Sequence, residues 1–112
     1  MITIPVDEAY AFDVLTINEI KNKKIKKKNK YLFKLKNHII NQIGLLKFNK
    51  IITSREYQIL FQANENTFQA VEKAKKNLIS GYELDKTNTK RYKAKQKIQK
   101  KFFLKKLKEI KI

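Results

Sequence analysis

The chain predicts an all-α fold, an antiparallel bundle of about four helices behind a short extended lead. Four separate stretches place apolar residues at helical spacing. The single proline and the two glycines fall where helices would begin or end. After the first few residues, nothing alternates with the period of a strand. At 112 residues the chain can enclose one core and bury about 65% of its unfolded surface, so a single domain over 1–112 is expected.

Met1 to Val6 reads as the extended lead. Pro5, with its fixed φ, followed by Asp7 and Glu8, makes a helix start, and a first helix is expected from about Asp7 to Lys24 or beyond. Its apolar face gathers Val6, Ala9, Tyr10, Ile17 and Ile20, with Asp13 at the centre, Thr16 at the edge and Glu19 opposite Tyr10. Lys21 to Lys30, KNKKIKKKNK, has the composition of a solvated helix end and hairpin tip. A second helix follows from about Tyr31 to Gln42 on Leu32, Leu35, Ile39 and Ile43, with Gly44 as its stop. His38 is placed on its surface.

Thr53-x-x-Glu56 has the form of a capping box, and Ile52 against Tyr57 would be its hydrophobic staple. A third helix is therefore expected from Ser54 to about Ile79, closed by Gly81, with a stripe of Tyr57, Leu60, Phe61, Phe68, Val71 and Leu78. Asn64 lies in the middle of that stripe, whereas Asn66 points outward. The fourth helix opens at Leu84 or Asp85 and continues to Lys108. Leu84, Asn88, Arg91, Lys95, Ile98 and Phe102 form its inner face, which then shifts toward Phe103, Leu107 and Ile110. That end either packs on the second helix or projects toward a partner.

Charge is the strongest compositional signal, +17 from 27 basic and 10 acidic residues. Arg55 and Arg91 are the only arginines, so the excess is lysine, accompanied by much Asn and Ile. Such a profile fits an AT-rich genome, and it also fits a protein that binds polyanions. The first 20 residues carry Asp7, Glu8, Asp13 and Glu19 without a base, which leaves +21 on the remaining 92. Without cysteine there is neither a disulfide framework nor a thiolate metal site, and a reducing, cytoplasmic setting is expected. One histidine cannot build a metal site, and no metal or other cofactor is expected. No signal peptide and no membrane span are indicated.

Asp13, Asn64, Asn88 and Arg91 occupy the centres of otherwise apolar stripes. Burying an amide or a guanidinium costs several kcal/mol unless it is paired, so these residues are expected to meet. The motifs around them resemble those of a family of small helical proteins of bacteria and their phages, grouped as a domain of unknown function. The resemblance rests on the Ile4-Pro5-Val6 opening; on Asp13, Thr16, Ile17, Glu19, Ile20 and Lys21 in an Asp-x-x-Thr-Ile-x-Glu-Ile-Lys pattern; and on Asn64 with Phe68, where other members more often carry tryptophan. It is completed by Thr87, Asn88, Arg91, Lys95 and Ile98 in Thr-Asn-x-x-Arg-x-x-x-Lys-x-x-Ile. It covers most of three helices but not the more basic region from Asn22 to Phe48, and it implies an all-α fold without an established activity.

Two arrangements of the polar residues Asp13, Thr16, Asn64, Asn88, Arg91 and Lys95 follow. In one, they form a satisfied layer that fixes helix register. In the other, Arg91 and Lys95, with Lys75, face an open pocket for a small carboxylate or phosphate. Either belongs to a small binding or interaction module, whose partner could be an anionic ligand or a protein. The alternative is a polycationic nucleic-acid-binding protein that makes nonspecific phosphate contacts. Its candidate contacts are Lys23, Lys24, Lys26, Lys27 and Lys28 on the tip and Lys97, Lys100 and Lys101 on the last helix. Tyr31, Phe33, Tyr92 and Phe103 lie among these lysines, while the scarcity of arginine counts against base reading. A third class, a helical enzyme clamping an anionic substrate, finds no nucleophile-base pair or paired catalytic carboxylates, and no catalytic residue is assigned.

Overall fold

Five helices, not four, make up residues 5–25 and 30–105, the part of the chain described in a computed structural model. They are α1 (Glu8–Ile25), α2 (Lys30–Ile43), α3 (Leu45–Ile52), α4 (Arg55–Lys75) and α5 (Gly81–Phe103). No strand occurs among the described residues, and none of the helices is long and apolar enough to cross a membrane. Met1 to Ile4 of the expected lead, Lys26 to Asn29 of the expected tip, and Leu107 and Ile110 lie outside the described residues.

The additional helix, α3, follows Gly44 directly. Gly44 has φ 91°, a conformation that glycine adopts without a Cβ penalty, and its N–H still bonds Ile40 O at 2.7 Å while its carbonyl accepts from Phe48 N. One residue thus ends α2 and opens a new turn. Phe48 and Ile51 bury the inner side of α3, three residues apart on one face.

Ser54, rather than Thr53, caps α4: its hydroxyl accepts from Tyr57 N at 3.1 Å. Thr53 instead terminates α3, with its hydroxyl donating to Asn49 O. The expected capping box is therefore out of register by one residue, and with it the Ile52–Tyr57 staple, since a cap at Ser54 makes Thr53 and Gln58 the staple positions. At the far end α4 stops at Lys75, short of Ile79. Asn77 takes a left-handed φ of 58°, and Leu78 N bonds Lys73 O while Asn77 N bonds Ala74 O, the bond pattern of a Schellman stop. Gly81 does not close that helix. It begins α5, which Ser80 caps by accepting from Glu83 N, three residues before the expected start at Leu84. Leu104 with φ 54° ends α5, and the expected end at Lys108 lies outside the described residues.

α4 and α5 form an antiparallel hairpin, and α1 lies against both. The core joins all five helices through Ala9, Phe12, Leu15, Leu32, Ile39, Phe48, Ile51, Tyr57, Leu60, Ala94 and Ile98. On α1 the buried face is Ala9, Phe12, Asp13, Leu15, Thr16 and Ile20, while Val6 and Tyr10 are exposed and Ile17 is half-buried. This face is rotated from the expected one. Apolar residues occur nearly all round α1, and the bulk of Phe12 and Leu15 decides which side turns in. Leu78, expected inside, is 68% exposed beyond the end of α4. His38 is exposed, its Nε2 hydrogen-bonded to Gln42 Nε2.

Candidate functional site

Asp13 projects from the middle of α1 toward α4 and α5 and is 2% exposed. One carboxylate oxygen accepts from Asn64 Nδ2 at 2.9 Å. The other accepts from Arg91 Nη2 at 2.8 Å and lies 4.0 Å from Lys95 Nζ. The second amide hydrogen of Asn64 goes to Thr16 Oγ1, whose hydroxyl in turn donates to Asp13 O at 2.8 Å. Asn64 and Thr16 are as inaccessible as Asp13, and Lys95 is 8% exposed. Arg91 closes the outer side, a quarter of its side chain in solvent and its Nε buried without an acceptor.

Of the six residues singled out in the sequence, five therefore meet. The sixth, Asn88, is exposed and stands outside the network. Its position on the α5 stripe is right, but the Asp13 carboxylate reaches only Arg91 and Lys95, the next two inward positions of that helix. With both Asp13 oxygens engaged, the cluster works as a crosslink of three helices. It holds two cations against one carboxylate.

Two further polar links tie α1 to its neighbours. Gln99, fully buried, accepts from Ala9 N at 2.8 Å through Oε1 and donates to Glu8 Oε2 at 3.0 Å. It satisfies one of the N–H groups that the first turn of a helix leaves unpaired. Sequence reasoning passed over it because it sits about 60° from the centre of the α5 stripe, at the edge where amides are ordinary. Tyr57, also buried, donates its hydroxyl to Glu19 Oε1 at 3.1 Å. Burial, and then the Glu19 carboxylate, push its phenol well above the ordinary value of 10.0.

A raised phenol pKa stabilises the fold fully below the unfolded value and loses that contribution as pH climbs past about 10. Folded wild type and Tyr57→Phe are accordingly expected to show equal tyrosinate absorbance at about pH 11. An excess of one tyrosinate in the wild type would contradict the burial of this hydroxyl.

A surface groove lies elsewhere, between the first turn of α4 and the last turns of α5. Arg55, Glu56 and Ile59 form one wall and Lys97, Lys100 and Lys101 the other, around a groove of about 570 Å³. Lys101 Nζ is bonded to Glu56 Oε1 and holds that carboxyl below its usual range. After that pair, Arg55, Lys97 and Lys100 remain as the cations of the lining, beside the N-terminal, dipole-positive end of α4. Lys97, Lys100 and Lys101 are thus brought together, joined by Arg55, which sequence reasoning did not select. Lys23 and Lys24 lie apart, over the Phe61 and Phe68 rings at 5.3 and 5.0 Å. Lys26, Lys27 and Lys28 are outside the described residues.

A smaller cleft of about 290 Å³ between the start of α1 and α2 is floored by Phe12, Ile39 and Ile43 and rimmed by Asp7 and Glu8. Its carboxylates make it a poor anion site. Among the described residues, no three His, Cys, Asp or Glu side chains are placed to hold a metal ion. No protein-family model, curated protein or solved structure matches the chain.

Proposed function

We propose that this protein is a small helical binding module for nucleic acid and that it engages phosphates at the α4–α5 groove. The observation that carries the reading is the lining of that groove, with Arg55, Lys97, Lys100 and Lys101 around a single carboxylate. Three of the acidic residues of α1 are committed elsewhere, Asp13 to the polar network and Glu8 and Glu19 to Gln99 and Tyr57. Those carboxylates are therefore engaged away from the groove lining. The Asp13 cluster supports a structural role, because its carboxylate already has three partners. We also propose membership of the small helical family that the motifs resemble. Its support is that residues from three separate motif segments, Asp13 and Thr16, Asn64, and Arg91 with Lys95, converge on one network.

Binding to a labelled oligonucleotide is expected to weaken log-linearly with salt, with a slope of about −0.9 per phosphate neutralised on duplex or −0.7 on a single strand. Arg55→Glu with Lys97→Glu is expected to lower affinity at least about tenfold at moderate salt. The same charge change at the exposed α2 and α3 positions, Lys34→Glu with Lys50→Glu, is expected to cost much less. Equal losses from the two pairs would mean that net charge alone attracts the ligand and that the groove is not the site. Absence of binding at low salt would remove the function.

A further inference from the structure

Beyond the groove, α5 carries Lys86, Lys90, Lys93, Lys97 and Lys100, spaced four, three, four and three residues apart, and all five are exposed. At 100° per residue they fall within an arc of about 80°. At 1.5 Å per residue they form a row about 21 Å long. The last two are also wall residues of the groove, so row and groove are one surface. Arg55 and Ile59 of α4 face the same groove, and the helical repeat continues their side through Gln62, Asn66 and Lys73, running antiparallel to the row. Between Lys86 and Phe103, α5 contains no acid. Glu65 and Glu72 project about 90° and 110° away from that side of α4 by the same projection.

The geometry points to B-form duplex DNA as the partner of this row, which rests on the nucleic-acid reading of the groove. Single-strand binders gain much of their affinity from bases stacked on aromatic faces. This surface offers almost none. Tyr92 and Phe102 are half-buried, and the exposed Tyr82 ring is already covered by Lys86 Nζ at 4.7 Å. A row made of lysines alone gains most where phosphates are densest and held on a fixed line. Duplex DNA presents about one charge per 1.7 Å of axis and stays straight over far more than 21 Å. Its major groove, about 12 Å wide, admits a helix, whereas that of A-form RNA is too narrow for side chains to enter. A row of five cations, evenly spaced and without a second acceptor-reading residue type, tracks the backbone and does not select sequence.

The test compares a 20-base-pair DNA duplex, one of its single strands and an RNA duplex of the same sequence, each titrated by fluorescence anisotropy at several salt concentrations. The variant is Lys86→Gln/Lys90→Gln/Lys93→Gln, which alters the row away from the groove walls and leaves every buried residue in place; circular dichroism verifies that it stays folded. Wild type is expected to bind the DNA duplex about tenfold or more tighter than the other two. The variant is expected to lose most of that preference, with a duplex salt slope shallower by about 2 to 3. Single-strand binding that equals duplex binding, with the same loss in the variant, would overturn the duplex assignment and leave the proposed function standing. Equal affinity for the RNA duplex would overturn the B-form assignment in the same way. If phosphatidylglycerol vesicles compete at lower phosphate concentration than DNA, and do so only with the row intact, the row is a membrane surface and the inference fails. No binding to any nucleic acid would remove both readings.

Discussion

Asp13→Ala is expected to destabilise the protein by about 3 to 5 kcal/mol, because it leaves buried charge without its counterion. Lys95 is 8% exposed and Arg91 buries three quarters of its side chain, so neither cation can turn fully to water without moving α5 off α1. Asn64 also loses the acceptor of one amide hydrogen. At about 4 °C per kcal/mol for a chain of this size, the melting temperature should fall by about 12 to 20 °C. Asp13→Leu combined with Arg91→Met is expected to recover part of the loss, and adding Lys95→Met to recover more, since the carboxylate faces two cations and not one. That ordering separates a structural crosslink from a ligand site. Were Arg91 held open for an anion, Arg91→Met alone would be tolerated, and any rise in melting temperature with inorganic phosphate would disappear in it. Thermal unfolding of the single, double and triple variants with and without phosphate distinguishes the two. A loss below about 1 kcal/mol for Asp13→Ala would mean that the pair is solvated in solution.

The same cluster shows what could be read before the structure and what could not. Asp13, Asn64 and Arg91 were legible because each interrupts an apolar stripe, and an interrupted stripe requires a partner on a neighbouring helix. Thr16 and Lys95 followed from their spacing to those residues. Asn88 satisfies the same rule, yet it is exposed, because the stripe is a property of α5 alone while the packing of the neighbouring helices decides which turns of it are covered. Helix ends were misread for a related reason. Thr53 and Ser54 are adjacent hydroxyls with equal claims to a cap, and the deciding factor is that α3 needs Thr53 for its own last turn. The cap of α4 therefore falls one residue later, at Ser54. Gly81 has the residue type of a helix stop, but Asn77, a less common left-handed residue, takes that place. Arg55 escaped notice as a groove residue since nothing local marks it. Only the antiparallel return of α5 places Lys97 and Lys100 beside it. The all-α class and the convergence on Asp13 are thus local in origin, whereas the basic groove is a product of tertiary packing.

Phe12→Ala is expected to cost about 3 to 5 kcal/mol, the range for removing a fully buried aromatic side chain whose site cannot collapse. The ring is 1% exposed and serves as the hub of the aromatic core. It stacks on Phe48 of α3 at 6.1 Å, meets Tyr57 of α4 edge-on at 6.2 Å and lies 6.4 Å from Phe103 at the end of α5. Three helices besides its own converge on it, so no single one can move in to fill the void without losing contact with the others. Against a total stability of about 5 to 15 kcal/mol for a domain, the loss removes roughly a fifth or more. Phe12→Leu, which keeps most of the volume, should cost distinctly less, about 1 to 2 kcal/mol. The consequence reaches the groove, because Tyr57 follows Arg55 and Glu56 in the first turns of α4 and Phe103 follows Lys100 and Lys101 in the last turn of α5. Phe12 therefore sets the distance between the two basic walls. Urea unfolding of wild type, Phe12→Leu and Phe12→Ala measures the series. If Phe12→Ala proved no worse than Phe12→Leu, the aromatic cluster would be too loosely packed to hold those walls in place.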